Sequence, residues 1–229
     1  MTTIKTYCTI VNMLSKLDMW YMDPSLSEEE RTPWSVGAWY WDPGETTVPS
    51  GWDESSVFTV LKGANEYLRP AKVNFELAGK VNVITMWPRI KSGVVDEIDF
   101  KAIAGRIGAQ CFKRGEARLA FIKKFAGALY RGRSIQSWCY SCVERPDMAT
   151  RVAGPNLAQA RWTLAHELGH LLGLGHDESN TTRMMHRYWM YGVGHTISKE
   201  ELAIIKAHAH VDRTTAYKQP EGEDPVCMH

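Results

Sequence analysis

The chain has 229 residues, which is enough for one large domain or two small ones. Apolar residues make up 44% of the composition and charged residues 23%, as in ordinary soluble globular proteins, and the formal net charge is +1. A balance so close to neutral excludes a general electrostatic attraction to nucleic acid or to an acidic membrane surface. No segment approaches the roughly 18 consecutive apolar residues of a membrane span, so we expect no nucleic-acid partner and no membrane span.

Neither the N-terminus nor the cysteines define the cellular compartment. The first 23 residues contain no uninterrupted apolar segment and no small-residue cleavage site, so we expect either a chain without a leader or a mature fragment given a starting Met. The five cysteines are too sparse for a disulfide framework. Cys139 and Cys142 form a single C-x-x-C, which favours reduced, packed thiols over a local disulfide or a redox role.

Hydrophobic periodicity predicts a mixture of strands and helices along the chain. Runs rich in β-branched and aromatic residues predict strands over residues 4–14, 72–77, 80–87, 117–125 and 134–143. Apolar residues at helical spacing predict helices over residues 52–68, 97–110, 156–172 and 199–211. Capping residues support three of these helices: Asp53 for the first, Asn156 with Gln159 for the third, and Ser198 with Glu201 for the last.

A turn-rich segment over residues 23–52 carries several tryptophans. Prolines and glycines interrupt it, and Trp34, Trp39, Trp41 and Trp52 lie within it. The favoured interpretation is a small satellite core beneath a long loop. The alternative is an aromatic surface that binds a partner, a peptide or a sugar.

The helix predicted over residues 156–172 carries the motif H-E-x-x-H, formed by His166, Glu167 and His170. Residues four apart in a helix point in directions only about 40° from one another, so both imidazoles can reach one metal ion. Glu167 lies one residue further along, beside the metal rather than on it, where it can take a proton from bound water. We therefore predict two metal ligands and a general base in this helix.

A third histidine completes the ligand set if the helix ends between them. His176 follows His170 by six residues, so in an unbroken helix it would point about 240° away from His170. Gly173 lies where a sharp turn is needed, and a glycine in the left-handed conformation ends a helix at low cost. Three histidines leave one tetrahedral position open, as a catalytic zinc requires.

The segment HELGHLLGLGH, residues 166–176, resembles the elongated zinc-binding signature of the metzincin clan of metallopeptidases. Met184 and Met185 follow His176 by eight and nine residues and resemble the Met-turn of that clan, with Met185 favoured because His186 comes next. Residues 52–87 and 156–211 are similar to matrixins in the rhythm of their helices and strands. Residues 88–155 match poorly.

The resemblance implies an α+β zincin fold, in which a twisted mixed sheet with an antiparallel edge strand accompanies an active-site helix and a C-terminal helix. It implies one catalytic domain over residues 1–211, with an N-terminal subdomain to about residue 173 and a C-terminal subdomain over about 174–211. Residues 212–229 are then a tail.

The same resemblance implies a zinc-dependent endopeptidase with one catalytic Zn²⁺, in which Glu167 activates a zinc-bound water. An extended protein or peptide substrate would lie on an edge strand somewhere in 117–143. Trp189 and Tyr191 would line the S1′ pocket. Tyr188 is a possible transition-state donor, although it follows Met185 by three residues, whereas astacins and serralysins have two.

Two other functions stay open at this stage. One is a zinc-binding interaction module without peptidase activity, which would not need Glu167 as a base. The other is a non-peptidase hydrolase that uses the same zinc chemistry. We expect a monomer, with a protein inhibitor as a possible second partner.

Overall fold

The computed structural model describes residues 1–14, 47–86, 94–109, 116–126, 131–146, 153–187, 196–210 and 227–228. Within these segments it contains four α-helices: α1, Glu54–Leu68; α2, Glu97–Arg106; α3, Ala153–Leu171; and α4, Lys199–His210. None of these helices has the length and apolar character needed to cross a bilayer.

The strands form one large mixed sheet and one small parallel pair. They are β1, Thr2–Leu14; β2, Thr47–Val48; β3, Val73–Leu77; β4, Asn82–Met86; β5, Val94–Val95; β6, Glu116–Ile122; β7, Lys124–Phe125; β8, Gly132–Ile135; β9, Tyr140–Glu144; and β10, Cys227–Met228. The large sheet runs in the order β10-β8-β9-β6-β1-β2, while β3 and β4 both pair with β1. Strands β5 and β7 form the small pair.

Helices cover the large sheet on both faces. Alternate residues of its strands point to opposite sides, so each face contributes to a separate core. Along β6, Leu119 and Phe121 join the main core, which lies beneath α1 and α3. Their neighbours Ala120 and Ile122 join a second core that packs against α2. The predicted fold class is therefore confirmed: α and β elements surround a mixed sheet that has an antiparallel strand, β8, near one edge.

Two of the predicted helix caps are confirmed and one is wrong. Asp53 accepts a hydrogen bond from the Ser56 amide at the start of α1, and Ser198 accepts one from the Glu201 amide at the start of α4. Helix α3 begins at Ala153, three residues earlier than predicted, so Asn156 lies inside its first turn. The sequence placed the cap too late because Asn156 and Gln159 have capping-box spacing.

The single strand predicted over residues 134–143 is also wrong, because the chain reverses within it. Strands β8 and β9 pair antiparallel, and a tight turn over residues 136–138 joins them. Cys139 follows that turn with φ +46°, a left-handed conformation that directs the chain back along β8. The antiparallel strand near the edge of the sheet is thus the first arm of a hairpin, and β10 pairs with its outer side. Cys139 and Cys142 are both buried, as expected for packed cysteines.

Trp52 belongs to the main core rather than to a satellite core. Its indole nitrogen donates a hydrogen bond to the Ile122 carbonyl, 2.9 Å away, and its ring meets Phe121 edge to face. The other tryptophans of the segment 23–52 lie outside the described residues.

Candidate metal centre

Helix α3 fixes three of the predicted site residues on one rigid element. Leu164, Leu168 and Leu171 are buried in the main core. This apolar stripe anchors the helix against the sheet and leaves His166, Glu167 and His170 on another side. All three polar side chains are themselves at most 3% exposed, so they form a buried polar site rather than a surface cluster.

Helix α3 ends in a Schellman turn at the predicted glycine. Gly173 has φ +90°, its amide donates to the His170 carbonyl, and the Leu174 amide donates to the Gly169 carbonyl. A Cβ on Gly173 would also lie 2.5 Å from the ring of His208 in α4. Both the backbone conformation and the close approach of α4 therefore require a residue without a side chain.

The turn brings His176 back to the two histidines of the helix. One ring nitrogen from each of His166, His170 and His176 lies within 4.8 Å of the others, and the Nε2 atoms of His166 and His170 are 3.1 Å apart. Ligands about 2.0–2.1 Å from a tetrahedral zinc are separated from one another by about 3.3 Å. The donor type and spacing of the three residues therefore fit a zinc ion.

Backbone carbonyls hold two of the rings in the orientation that a metal needs. The Nδ1 atom of His166 lies 3.0 Å from the Met184 carbonyl oxygen, and that of His170 lies 2.8 Å from the Leu174 carbonyl oxygen. Carbonyl oxygens only accept, so Nδ1 carries the proton in each ring and the Nε2 lone pair is directed to the centre.

Burial favours the neutral form of two of the three histidines. It lowers the pKa of His170 to about 4, against an opposing contribution from the hydrogen bond to the Leu174 carbonyl. Burial also lowers the pKa of His176, with a further contribution from Arg187. A histidine must be unprotonated to bind a metal, so these shifts favour binding at neutral pH.

Met184 and Met185 are fully buried, and the Met184 carbonyl oxygen lies 3.0 Å from Nδ1 of His166. A Cβ on Gly169 would lie 2.5 Å from the Met185 sulfur, so the helix admits this side chain only because residue 169 is glycine. The Met184 amide donates to the Thr196 carbonyl, and the Met185 carbonyl accepts from the Asp177 amide. The two methionines are thereby tied both to the segment that leads into α4 and to the residue after His176.

Glu167 lies in a dry environment beside the histidines. Burial raises the pKa of its carboxyl to about 8, although the Ser134 hydrogen bond and the nearby Arg133 charge both oppose the shift. The Ser134 hydroxyl donates to Oε2 of Glu167. A carboxyl in this setting is suited to exchange a proton near neutral pH.

Strand β8 approaches the carboxylate closely. A Cβ on Gly132 would lie 2.5 Å from Oε1 of Glu167, so the glycine provides the space that the carboxylate occupies. Residues from β8 therefore both contact this carboxylate and limit where it can move.

The structure thus brings together His166, Glu167, His170, Gly173 and His176, and it packs the two methionines against the same helix. The predictions for Tyr188, Trp189 and Tyr191 lie outside the described residues. Sequence reasoning missed Gly132, Ser134 and Gly169. Gly169 lies within the H-E-x-x-H motif, but the reason for a glycine there is its contact with Met185, which the sequence does not show. No local sequence pattern marks Gly132 or Ser134.

No family model and no curated protein matches the chain. Solved structures with similar folds include metalloproteinase-II from Bacteroides fragilis, at 11% identity and a TM-score of 0.49, which covers 90% of this chain and 53% of that one. The archaemetzincin of Methanopyrus kandleri has 14% identity and a TM-score of 0.46, covering 90% and 95%. That of Archaeoglobus fulgidus has 14% identity and a TM-score of 0.43, covering 67% and 94%.

These similarities concern overall shape. The chain spans about half the length of the Bacteroides fragilis protein. At such identities, and with TM-scores below 0.5, the similarities carry no argument about what the chain does. Its function has to be inferred from the geometry of its own residues.

Proposed function

We propose that the chain is a zinc-dependent endopeptidase that hydrolyses peptide bonds, with Glu167 as the general base. The observation that carries this proposal is the convergence of three histidine nitrogens within 4.8 Å beside a buried carboxyl. A purely structural zinc site is usually closed by four protein ligands. Three neutral ligands and an adjacent base are the composition of a catalytic site.

The three histidines would hold one Zn²⁺ through their ring nitrogens. When bound, the ion supplies Lewis-acid polarisation of the substrate carbonyl and of water. The chain contributes the geometry: the Met184 and Leu174 carbonyls keep the His166 and His170 rings aimed at the centre. The contacts of Met184 and Met185 with Gly169 support their assignment as a Met-turn that forms the floor of the site.

Glu167 would carry the proton in the reaction. Its Oε2 is bonded by Ser134, so Oε1 is the atom that we assign to receive the proton of the attacking water. The same carboxyl would then release that proton to the leaving amine as the peptide bond breaks. Its low exposure excludes bulk water, which strengthens its interaction with the reacting groups.

An extended peptide would bind beside β8 as an added strand. The outer edge of β8 already pairs antiparallel with β10, at Cys227 opposite Ser134 and at Met228 opposite Arg133. This edge is therefore competent for main-chain hydrogen bonds to a peptide, and it belongs to the strand that touches Glu167. A substrate on this edge must displace β10.

The roles of three aromatic residues belong to the same proposal. Trp189 and Tyr191 would form the wall of the S1′ pocket, and Tyr188 could donate a hydrogen bond in the transition state. Trp189→Ala should change the residue preferred at P1′, measured by sequencing the products of a peptide library. An unchanged cleavage profile would remove Trp189 from the pocket.

The decisive experiment combines metal analysis with cleavage. The purified chain should bind one equivalent of zinc, cleave internal bonds in a peptide library, and lose cleavage when a chelator removes the zinc. Glu167→Gln keeps the size of the side chain and removes the base, so it should bind zinc normally and cleave about 10²- to 10⁴-fold more slowly.

Each other outcome contradicts a different part of the proposal. Zinc binding without cleavage of any peptide would favour the interaction module instead. Cleavage that survives Glu167→Gln unchanged would remove Glu167 from the role of base. A chain that binds no zinc would refute the metal centre itself.

A further inference from the structure

We infer that Ser134 is a positioning residue for the proposed reaction, holding the Glu167 carboxylate in the orientation that it needs to act as a base. The inference rests on the proposed function, and it assigns a role to a residue of the sheet rather than of the metal-binding motif. Ser134 lies in β8, 33 positions before Glu167 in the chain.

The hydroxyl of Ser134 lies at the centre of a buried network. It donates to Oε2 of Glu167, approaches the Glu167 carbonyl oxygen at 3.2 Å, and lies 2.7 Å from the Ser141 hydroxyl in β9. Ser134 and Glu167 are each 1% exposed and Ser141 is fully buried. Removing one partner of a buried hydrogen bond leaves the other partner unsatisfied.

Counting protons assigns the direction of each bond. When Glu167 is ionised, as it must be to act as a base, its carboxylate can only accept, so the single proton of Ser134 is used toward Glu167. Ser141 then donates its own proton to the Ser134 oxygen, across directly opposed positions of β8 and β9. The hairpin therefore fixes the Ser134 hydroxyl by its partner, and the hydroxyl fixes the carboxylate.

Steric contact completes the restraint. Oε1 of Glu167 faces the α-carbon of Gly132, two residues before Ser134 on the same strand. One oxygen is bonded by the hydroxyl while the other lies against the strand backbone. Loss of the hydroxyl would leave Oε2 without that donor, so the carboxylate could rotate away from the position required for proton transfer.

The test compares kcat and KM for four variants of the zinc-loaded chain. Ser134→Ala should lower kcat by about 10- to 100-fold, as expected when a positioning contact is lost, with KM within about twofold. Ser134→Cys keeps the volume but is a weak donor, so it should resemble Ala. Ser134→Thr keeps the hydroxyl and should recover most of kcat. Ser141→Ala should lose less than Ser134→Ala, because the carboxylate keeps its direct bond.

A double-mutant cycle shows whether Ser134 acts through Glu167. In a Glu167→Gln background, Ser134→Ala should cause no further loss of kcat. Zinc affinity, measured by competition with a chromophoric chelator, should be unchanged in Ser134→Ala because the serine is not a ligand.

Several results would overturn the inference while leaving the proposed function intact. They are a wild-type kcat in folded Ser134→Ala, equal losses in Ser134→Ala and Ser141→Ala, or an additive loss in the Glu167→Gln background. A wild-type chain that binds zinc but cleaves nothing would instead refute the proposed function. Thermal unfolding of each variant confirms folding, and Ser134→Cys replaces Ser134→Thr as the informative variant if the added methyl prevents folding.

Discussion

The two sides of the site are held by different kinds of groups. On the histidine side, main-chain carbonyls of Met184 and Leu174 orient the rings, and a main-chain turn at Gly173 places the third ligand. On the strand side, a side-chain hydroxyl on β8 holds the carboxylate. Both sides meet at Glu167, which follows His166 in α3.

This difference separates metal binding from proton transfer. A carbonyl is present whatever residue occupies a position, so the orientation of the rings survives most substitutions at Met184 or Leu174. A hydroxyl is lost with a single substitution. We therefore expect changes on the histidine side to alter metal affinity and changes on the strand side to alter catalytic rate.

The largest effect should come from removing a ligand. His170→Ala leaves two histidines and should weaken zinc binding by more than about 100-fold, beyond the loss typical of an outer contact, and abolish cleavage. His208→Ala removes a histidine outside the ligand trio and is the matched control. Equal zinc affinity in His170→Ala and the wild type would contradict the assignment of His170 as a zinc ligand.

The next effect should come from Gly173→Ala. Placing alanine in the left-handed conformation costs about 1–2 kcal/mol, and its Cβ would meet the His208 ring. We expect lower stability and about 10-fold weaker zinc binding, measured by urea unfolding and chelator competition. Adding His208→Ala should relieve the crowding but not the backbone strain. Full recovery in the double variant would show that the conformation of residue 173 is unimportant.

Gly132→Ala tests the strand side. The new Cβ would displace Oε1 of Glu167, so kcat should fall by about 10-fold while zinc content stays at one equivalent. Gly105→Ala is the control, since a Cβ there meets nothing within 4 Å. A loss of zinc from the Gly132 variant would mean that the two sides are not separable.

A smaller effect should follow removal of residues 227–229. Without β10 the outer edge of β8 is open, so KM for a peptide should fall by about 2- to 10-fold as an intramolecular competitor is removed. Cys227→Ser with Met228→Ala keeps the backbone of β10 and should leave KM near the wild-type value. An unchanged KM in the shortened chain would place the substrate elsewhere.

A separate prediction concerns the stability of the metal-free chain. Burial raises the pKa of Glu167 from 4.5 to about 8. The contribution of the neutral carboxyl to the stability of the fold is therefore fully present below about pH 4.5 and is lost as pH rises through 8. Glu167→Gln should therefore be more stable relative to wild type at pH 9 than at pH 5. Urea unfolding at both values checks this, and a difference of opposite sign would contradict the assigned environment.

The sequence predicted the histidine side because its information is local. His166, His170, Gly173 and His176 lie within eleven residues, and helical geometry together with a helix-ending turn at Gly173 relates their directions. The same holds for the caps at Asp53 and Ser198, where donor and acceptor are three residues apart.

The strand side could not be predicted in the same way. Residues 134–143 have the composition of one strand, and only the reversal before Cys139 places Ser134 against Ser141. The contact between Ser134 and Glu167 depends on how α3 packs on that hairpin. It is a tertiary contact, which no periodicity in the sequence records.

Leu174 links the end of helix α3 to the orientation of His170. Its amide closes the final turn of α3, and its carbonyl orients His170. The peptide unit before Leu174 therefore serves the helix end, and the peptide unit after it serves the histidine. Fraying of the helix would release the ring, and a bound ion would oppose fraying. Slower hydrogen exchange at the Leu174 amide on zinc loading would therefore report the linkage between local unfolding and metal occupancy.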